Sequence, residues 1–206
     1  MNVCDKCKRI VNPPRRLQPR GKKMLCDTCF YEVYSTPCWV VRQFVREVAP
    51  AISGKCLEPA VGDGAIVHTI DEMQGDGFCQ WTTIDIRRTN AAQHVFDFTK
   101  PSAIDGHDNM VTNPPFSLGL AFAQRGLEVA DDVYLLMRLN WLASHKRNEW
   151  LRANPPDAHV LPNRPSFTIN GRTDMQEYAW FHWGTLAWGG QLQILESVPR
   201  EERRLG

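Results

Sequence analysis

No stretch of the 206-residue sequence approaches the roughly 18 consecutive apolar residues of a membrane-spanning helix, so such a helix is excluded. The first residues, Met1-Asn2-Val3-Cys4-Asp5, lack the apolar core of a secretory signal. Seven cysteines are too sparse for a disulfide framework in a chain of this length. Net charge is nearly absent, with 24 Lys+Arg against 23 Asp+Glu, and 43% of residues are hydrophobic, which together exclude an intrinsically disordered chain. Internal repeats and low-complexity tracts are absent as well. The expectation is a soluble, intracellular chain with one ordinary core and a small appendage.

What is present begins with an asymmetry. Up to Ser35 the basic residues Lys6, Lys8, Arg9, Arg15, Arg16, Arg20, Lys22 and Lys23 face only Asp5, Asp27 and Glu32, while the remainder is mildly acidic. A basic end suits a polyanionic partner. The same segment carries Cys4-x2-Cys7, eighteen intervening residues, then Cys26-x2-Cys29, the spacing of a four-thiolate zinc site. Val11-Asn12-Pro13-Pro14 and Arg20-Gly21-Lys22-Lys23 read as turns of a short hairpin ribbon. Some thirty residues bury too little apolar surface to fold alone, so zinc is expected to supply the folding free energy. With four ligands the ion has no open position and is structural. Arg15, Arg16, Lys22 and Lys23 suit phosphate contacts; a purely structural or oligomerising knuckle is the alternative. Cys38, Cys56 and Cys79 read as small buried hydrophobes. Residues 1–35 are thus expected to form the zinc module and residues 36–206 a second domain.

From Thr36 onward, short apolar strands alternate with amphipathic helices. Thr36-Pro37 reads as an N-cap followed by proline at the first helical position, with Val40, Val41, Phe44, Val45 and Val48 on one face. Strands are expected at Lys55–Glu58, Trp81–Asp85, His94–Asp97, Asn109–Thr112 and Asp132–Met137, with helices at Ala65–Met73, Leu118–Val129 and Ser144–Ala153. Later strands fall at His159–Leu161, Tyr178–Trp183 and Gln191–Leu195. This order implies an α/β fold with a doubly wound, mostly parallel sheet that binds ligands at strand C-terminal ends.

The loop after the first of these strands, Glu58-Pro59-Ala60-Val61-Gly62-Asp63-Gly64, has the closely spaced glycines of a nucleotide-binding turn. A dinucleotide fingerprint would place a third glycine at position 67, which is Val67. It would also avoid Glu58 and Asp63, because a carboxylate about 5 Å from a phosphate charge costs about 3 kcal/mol at an effective dielectric near 20. A cationic ligand reverses that sign, and S-adenosylmethionine, with an ammonium and a sulfonium, fits. Asp85, followed by Ile86, ends the next strand, where a carboxylate accepts ribose hydroxyls. Asp97 and Phe98 end the third, where a carboxylate suits an adenine amino group and a ring suits its face.

Asn113-Pro114-Pro115-Phe116 follows the fourth strand. Two prolines remove two N–H donors and stiffen the chain, which leaves carbonyl acceptors beside the Asn113 side-chain oxygen. Two acceptors outside a ring plane can hold both N–H bonds of a conjugated amine and turn its lone pair toward an electrophile. Phe116 adds a stacking face, worth about 1–3 kcal/mol per base, which helps offset the extrusion of a base from its stack.

The loop of Glu58 to Gly64 followed by Asn113-Pro114-Pro115-Phe116 resembles the S-adenosylmethionine-dependent N6-adenine DNA methyltransferases of phage and bacterial type. The likeness covers most of Thr36 to about Leu195. It implies a class I, Rossmann-like methyltransferase fold and methyl transfer to the N6 amino group of a flipped adenine in DNA, in the cytoplasm of a bacterium or phage-infected host. Thr36, Pro37, Glu58, Pro59, Ala60, Gly62, Gly64, Asp85, Ile86, Asp97, Phe98 and Asn113 are then the cofactor-binding positions. Asn113, Pro114, Pro115 and Phe116 are the catalytic ones. Leu161-Pro162-Asn163-Arg164-Pro165-Ser166-Phe167 and Ala179-Trp180-Phe181-His182-Trp183 are similar to the family's C-terminal strand pair, which brings Phe167 near the base and adds Arg164 and Arg172 to the nucleic-acid contacts. The motif also occurs in enzymes acting on RNA bases or a glutamine amide. Those substrates, and a non-catalytic zinc-dependent nucleic-acid binder, stand as alternatives. One departure from larger family members is the lack of room for a sizeable target-recognition domain.

Overall fold

The computed structural model describes residues 34–167 and 175–204 in full, together with the main chain of four short strands nearer the N-terminus. The chain divides into two compact units, Met1–Tyr34 and Ser35–Gly206.

In the first unit β1 (Asn2–Val3) pairs antiparallel with β2 (Ile10–Val11), and β3 (Gln18–Arg20) pairs antiparallel with β4 (Lys23–Leu25). Arg20 opposes Lys23 across the second hairpin. The four cysteines expected to bind zinc, Cys4, Cys7, Cys26 and Cys29, lie outside the described residues, as do Arg15, Arg16, Lys22 and Arg172. Among the described residues no group of three or more His, Cys, Asp or Glu is placed to hold a metal ion. No helix among them is long and apolar enough to cross a membrane.

The second unit is built on one eight-stranded sheet. Its elements in chain order are α1 (Cys38–Glu47), β5 (Gly54–Glu58), α2 (Ala65–Gln74), β6 (Cys79–Asp85), β7 (His94–Val95), β8 (His107–Thr112), α3 (Gly119–Val129) and β9 (Ala130–Arg138). Then come α4 (Asn148–Ala153), β10 (Asp157–Val160), β11 (Tyr178–Gly184) and β12 (Leu192–Ile194). The strands lie in the order β12-β10-β11-β9-β8-β5-β6-β7. β11 alone is reversed, running antiparallel to β9 and β10.

The central strands follow from period-two alternation. Along β9, Val133, Leu135 and Met137 enter the core on the α3 side with Phe122 and Ala123, while Tyr134 and Leu136 join Val40, Val41 and Phe44 of α1 on the other. β11 repeats the pattern, with Tyr178 and Trp180 on the α1 side and Ala179, Phe181 and Trp183 opposite. A strand buried on both faces reads as a nearly continuous apolar run, as both of these do.

Four expectations need correction. The N-cap of α1 is Pro37, not Thr36, and no side chain caps it. Thr36 lies one residue outside the helix because its hydroxyl serves a different partner, described below. The third strand stops at Val95, since Asp97 turns back on Thr99 and draws the chain out of extended geometry. Ser144–Ala153 is not one helix but a 3-10 turn, His145–Arg147, leading into the short α4. Cys38 is half-buried, whereas Cys56 and Cys79 are buried as expected.

A candidate functional site at the switch point of the sheet

After β5 the chain builds β6 and β7 on one side, then crosses back to place β8 on the other. The crevice of a doubly wound sheet opens where the order reverses, outside the strand C-termini. Here the loop after β5 and the Asn113–Phe116 loop after β8 meet, because Leu57 and Met110 are direct partners in the two strands.

The first loop is held from within. Val61 N–H donates to the Ile84 carbonyl at 2.9 Å and Gly64 N–H to the Val61 carbonyl at 2.8 Å. Gly62 N–H donates to Asp85 Oδ2 at 3.0 Å, which ties the loop to the end of β6. Gly62 and Gly64 take φ of +57° and +88°, where an L side chain is strained. Gly64 has a second reason: a Cβ there would stand 2.8 Å from His68 Cε1 and 3.1 Å from Ala91 Cβ.

Glu58 is buried at the head of this loop. Its Oε1 accepts from Ala60 N–H at 3.0 Å. Burial pushes the carboxyl up to about 8, while the Thr112 hydroxyl and Ala60 N–H pull it down and Asp85 adds to the rise. Oε2 is buried without completing a hydrogen bond of normal geometry. With its proton held by burial, Glu58 gains its charge only beside a cation, so the loop suits a cationic ligand and opposes a phosphate. The residues therefore fit the methionine end of S-adenosylmethionine.

Two successive residues ahead of α1 join the two loops. Ser35 Oγ donates to Asp63 Oδ2 at 2.6 Å, and Asn113 Nδ2 donates to Thr36 Oγ1 at 3.1 Å. Thr36 is buried and Asn113 half-buried. With the amide nitrogen donating to Thr36, Oδ1 is the acceptor end of the side chain. Pro114 is buried and Pro115 half-buried beside it.

Phe116 begins a 3-10 turn, Phe116–Leu118, and stands in a ring cluster. Its centroid lies 6.2 Å from Phe167 and 5.8 Å from Tyr178, and Phe167 and Tyr178 are 4.9 Å apart. Phe167, expected near a flipped base, stands in this ring cluster beside Phe116. The Arg138 guanidinium lies over the Phe116 ring at 4.9 Å and its Nε donates to Tyr178 Oη at 3.3 Å. Arg138 and Tyr178 were not singled out by sequence, although Arg138 ends one apolar strand and Tyr178 opens its antiparallel neighbour directly opposite.

Other expected residues are placed less directly. Asp85 is buried, and Ile86 beside it is 52% exposed. Asp97 Oδ1 accepts from both Thr99 N–H and Thr99 Oγ1, at 3.0 and 2.6 Å. Phe98 packs on Phe122 in the core with 2% exposure, so its ring is not a stacking surface and only its main chain is left for a ligand. Arg164 donates to Glu177 Oε1 at 3.1 Å and holds that carboxyl below its ordinary range. Sequence reasoning also missed Ser35 and Arg87; adjacency to Thr36-Pro37 and to Asp85 was the available signal.

No protein-family model matches the chain, and no curated protein matches it in sequence. Solved structures do match in shape. A Pyrococcus horikoshii protein designated an RNA methyltransferase superposes with a TM-score of 0.59 at 11% identity, over 76% of this chain and 88% of that one. The methyltransferase subunit of a type I restriction-modification system from Streptococcus thermophilus gives 0.60 at 10% identity, over 83% of this chain and 51% of that one. A Listeria monocytogenes protein designated a class I S-adenosylmethionine-dependent methyltransferase gives 0.51 at 12%, over 78% and 63%. The chain therefore has the class I S-adenosylmethionine-dependent methyltransferase fold.

Proposed function

We propose that this chain is an S-adenosylmethionine-dependent methyltransferase that acts on the N6 amino group of adenine in DNA, with the base flipped into the Asn113–Phe116 site. The observation that carries it is the meeting of three features at one crevice: the acidic, positive-φ loop at Glu58–Gly64, the Asn113 amide oriented by Thr36, and the rings of Phe116, Phe167 and Tyr178.

Gly62 and Gly64 allow close approach of a ligand, Asp63 and a Glu58 that gives up its proton beside a cation favour its cationic end, and Asp85 accepts its ribose hydroxyls. Ile86 offers an apolar surface to the adenosine, and Asp97 with the Phe98 main chain lies at its amino edge. S-adenosylmethionine, when bound, supplies an activated methyl group on a sulfonium. Asn113 Oδ1 and the Pro114 carbonyl accept the two N–H bonds of the target amine and hold its lone pair out of the ring plane. Phe116 and its neighbouring rings hold the base and keep water out. Orientation plus preorganised acceptors can account for several kcal/mol of barrier, and no dedicated base is required, because the methylated nitrogen is acidic and releases its proton to solvent.

The basic residues Arg15, Arg16, Lys22 and Lys23, with Arg164 and Arg172, are assigned to phosphate contacts. A structural zinc ion on Cys4, Cys7, Cys26 and Cys29 is proposed on their spacing, and elemental analysis should find about one zinc per chain. The function is tested by offering a radiolabelled methyl donor with DNA, RNA and protein pools. Label in DNA supports the proposal; label only in RNA or only in protein contradicts it.

A further inference from the structure

Asp85 is almost fully enclosed, and four donors converge on its carboxylate. Oδ1 accepts from Arg87 N–H at 2.8 Å and Arg87 Nε at 3.0 Å. Oδ2 accepts from Gly62 N–H at 3.0 Å and a terminal Arg87 nitrogen at 3.1 Å. A carboxylate offers about four lone-pair sites, so both oxygens are saturated. Two of the donors are main-chain groups that shape the turns at Gly62 and Arg87. The other two form the planar fork of one guanidinium, which presents paired donors much as a vicinal diol does.

We propose that Arg87 is a displaceable occupant of the Asp85 site, a side chain that a ligand's vicinal diol must turn out before it can bind. This rests on the reading of Asp85 as the ribose acceptor. The guanidinium is the group that yields, because the Gly62 and Arg87 N–H groups cannot leave without unmaking the loop, whereas the Arg87 side chain is 28% exposed and has a route to solvent. Its stem follows the exposed Ile86, which leaves the side chain room to swing outward from the carboxylate. Arg87 is thus a competitor for the Asp85 carboxylate, and it sets how tightly the diol is held.

The test is calorimetric titration of the full chain with S-adenosylhomocysteine, which carries the same ribose. R87M removes the competitor without shortening the side chain, and affinity is expected to rise about two- to fivefold, the worth of a partly exposed ion pair. R87K keeps a charge but not the fork and should fall between R87M and wild type. D85N, titrated in parallel, should lose at least tenfold. Thermal melting without ligand confirms that each variant is folded. R87M binding no more tightly than wild type, while D85N binds weakly, overturns the competition and leaves the proposed function standing. D85N binding as well as wild type overturns both, since Asp85 is then not the diol acceptor.

Discussion

The Asn113 amide nitrogen donates to the Thr36 hydroxyl at 3.1 Å across 77 residues of sequence. A side-chain amide can be turned over by half a rotation with little change in shape, and only a fixed partner decides which atom faces a substrate. Thr36, buried ahead of α1, supplies that partner. T36V keeps the volume and removes the acceptor. Single-turnover methyl transfer at saturating cofactor is expected to slow about tenfold. N113A removes a transition-state acceptor and should cost about 10²–10³-fold, again at saturating cofactor. Equal rates in T36V and wild type would show that the amide is oriented by something else.

Gly62 and Gly64 share a left-handed backbone but not their surroundings. A side chain at Gly62 meets nothing closer than 3.8 Å, so G62A carries only the conformational penalty, about 1–2 kcal/mol. G64A carries the same penalty and must also move the Ala91 methyl at 3.1 Å and the His68 ring. Denaturant melts should therefore rank wild type above G62A above G64A, with the larger loss of cofactor affinity in G64A. The reverse order would contradict the packing at Ala91.

Glu58 makes stability fall with rising pH between about 4.5 and 8. The folded protein holds the carboxyl proton to about 8, whereas the unfolded chain releases it near 4.5. The stability this confers is complete below about pH 4.5 and is lost as pH rises through 8. His107 and His182 act in the opposite sense: burial holds both below 6.5, so their contribution is complete above 6.5 and fades as pH falls. E58Q should raise the melting temperature at pH 9 relative to wild type and leave the acid limb unchanged. Parallel pH profiles for the two proteins would contradict the burial of an ionisable group at this position.

Phosphate contacts by the N-terminal unit predict a salt signature. Each contact removed lowers the slope of log K against log salt by about 0.9 on duplex DNA. Replacing Arg15, Arg16, Lys22 and Lys23 with Ala should flatten the slope by up to about four such steps and weaken binding evenly across sequences. An unaltered slope assigns these residues another task.

The central strands were readable because β9 and β11 are buried on both faces, so their apolar runs are nearly continuous, broken in β11 only by His182, which pairs with Asp132. The positions of the Glu58–Gly64 and Asn113–Phe116 loops were equally plain, since glycine and proline mark turns by their backbone chemistry. Less was readable where a side chain competes with the main chain. Asp97 binds Thr99 and ends β7 early, and Phe98 falls into the core instead of toward a ligand. Thr36 looked like a helix cap because Thr-Pro is a favoured start, yet its hydroxyl is taken by a residue far along the chain. The Ser35–Asp63, Arg138–Tyr178 and Arg138–Phe116 contacts likewise join distant segments and leave no trace in local pattern. Phe167 was reached only through family likeness.

The account depends most on which atom receives the methyl group. Nucleoside mass spectrometry of an adenine-containing DNA duplex, incubated with the full chain and S-adenosylmethionine, measures it directly. N6-methyladenine formed by wild type and lost in N113A is the expected result. A methylated cytosine, or no modified base from a folded protein that binds the cofactor, would contradict it.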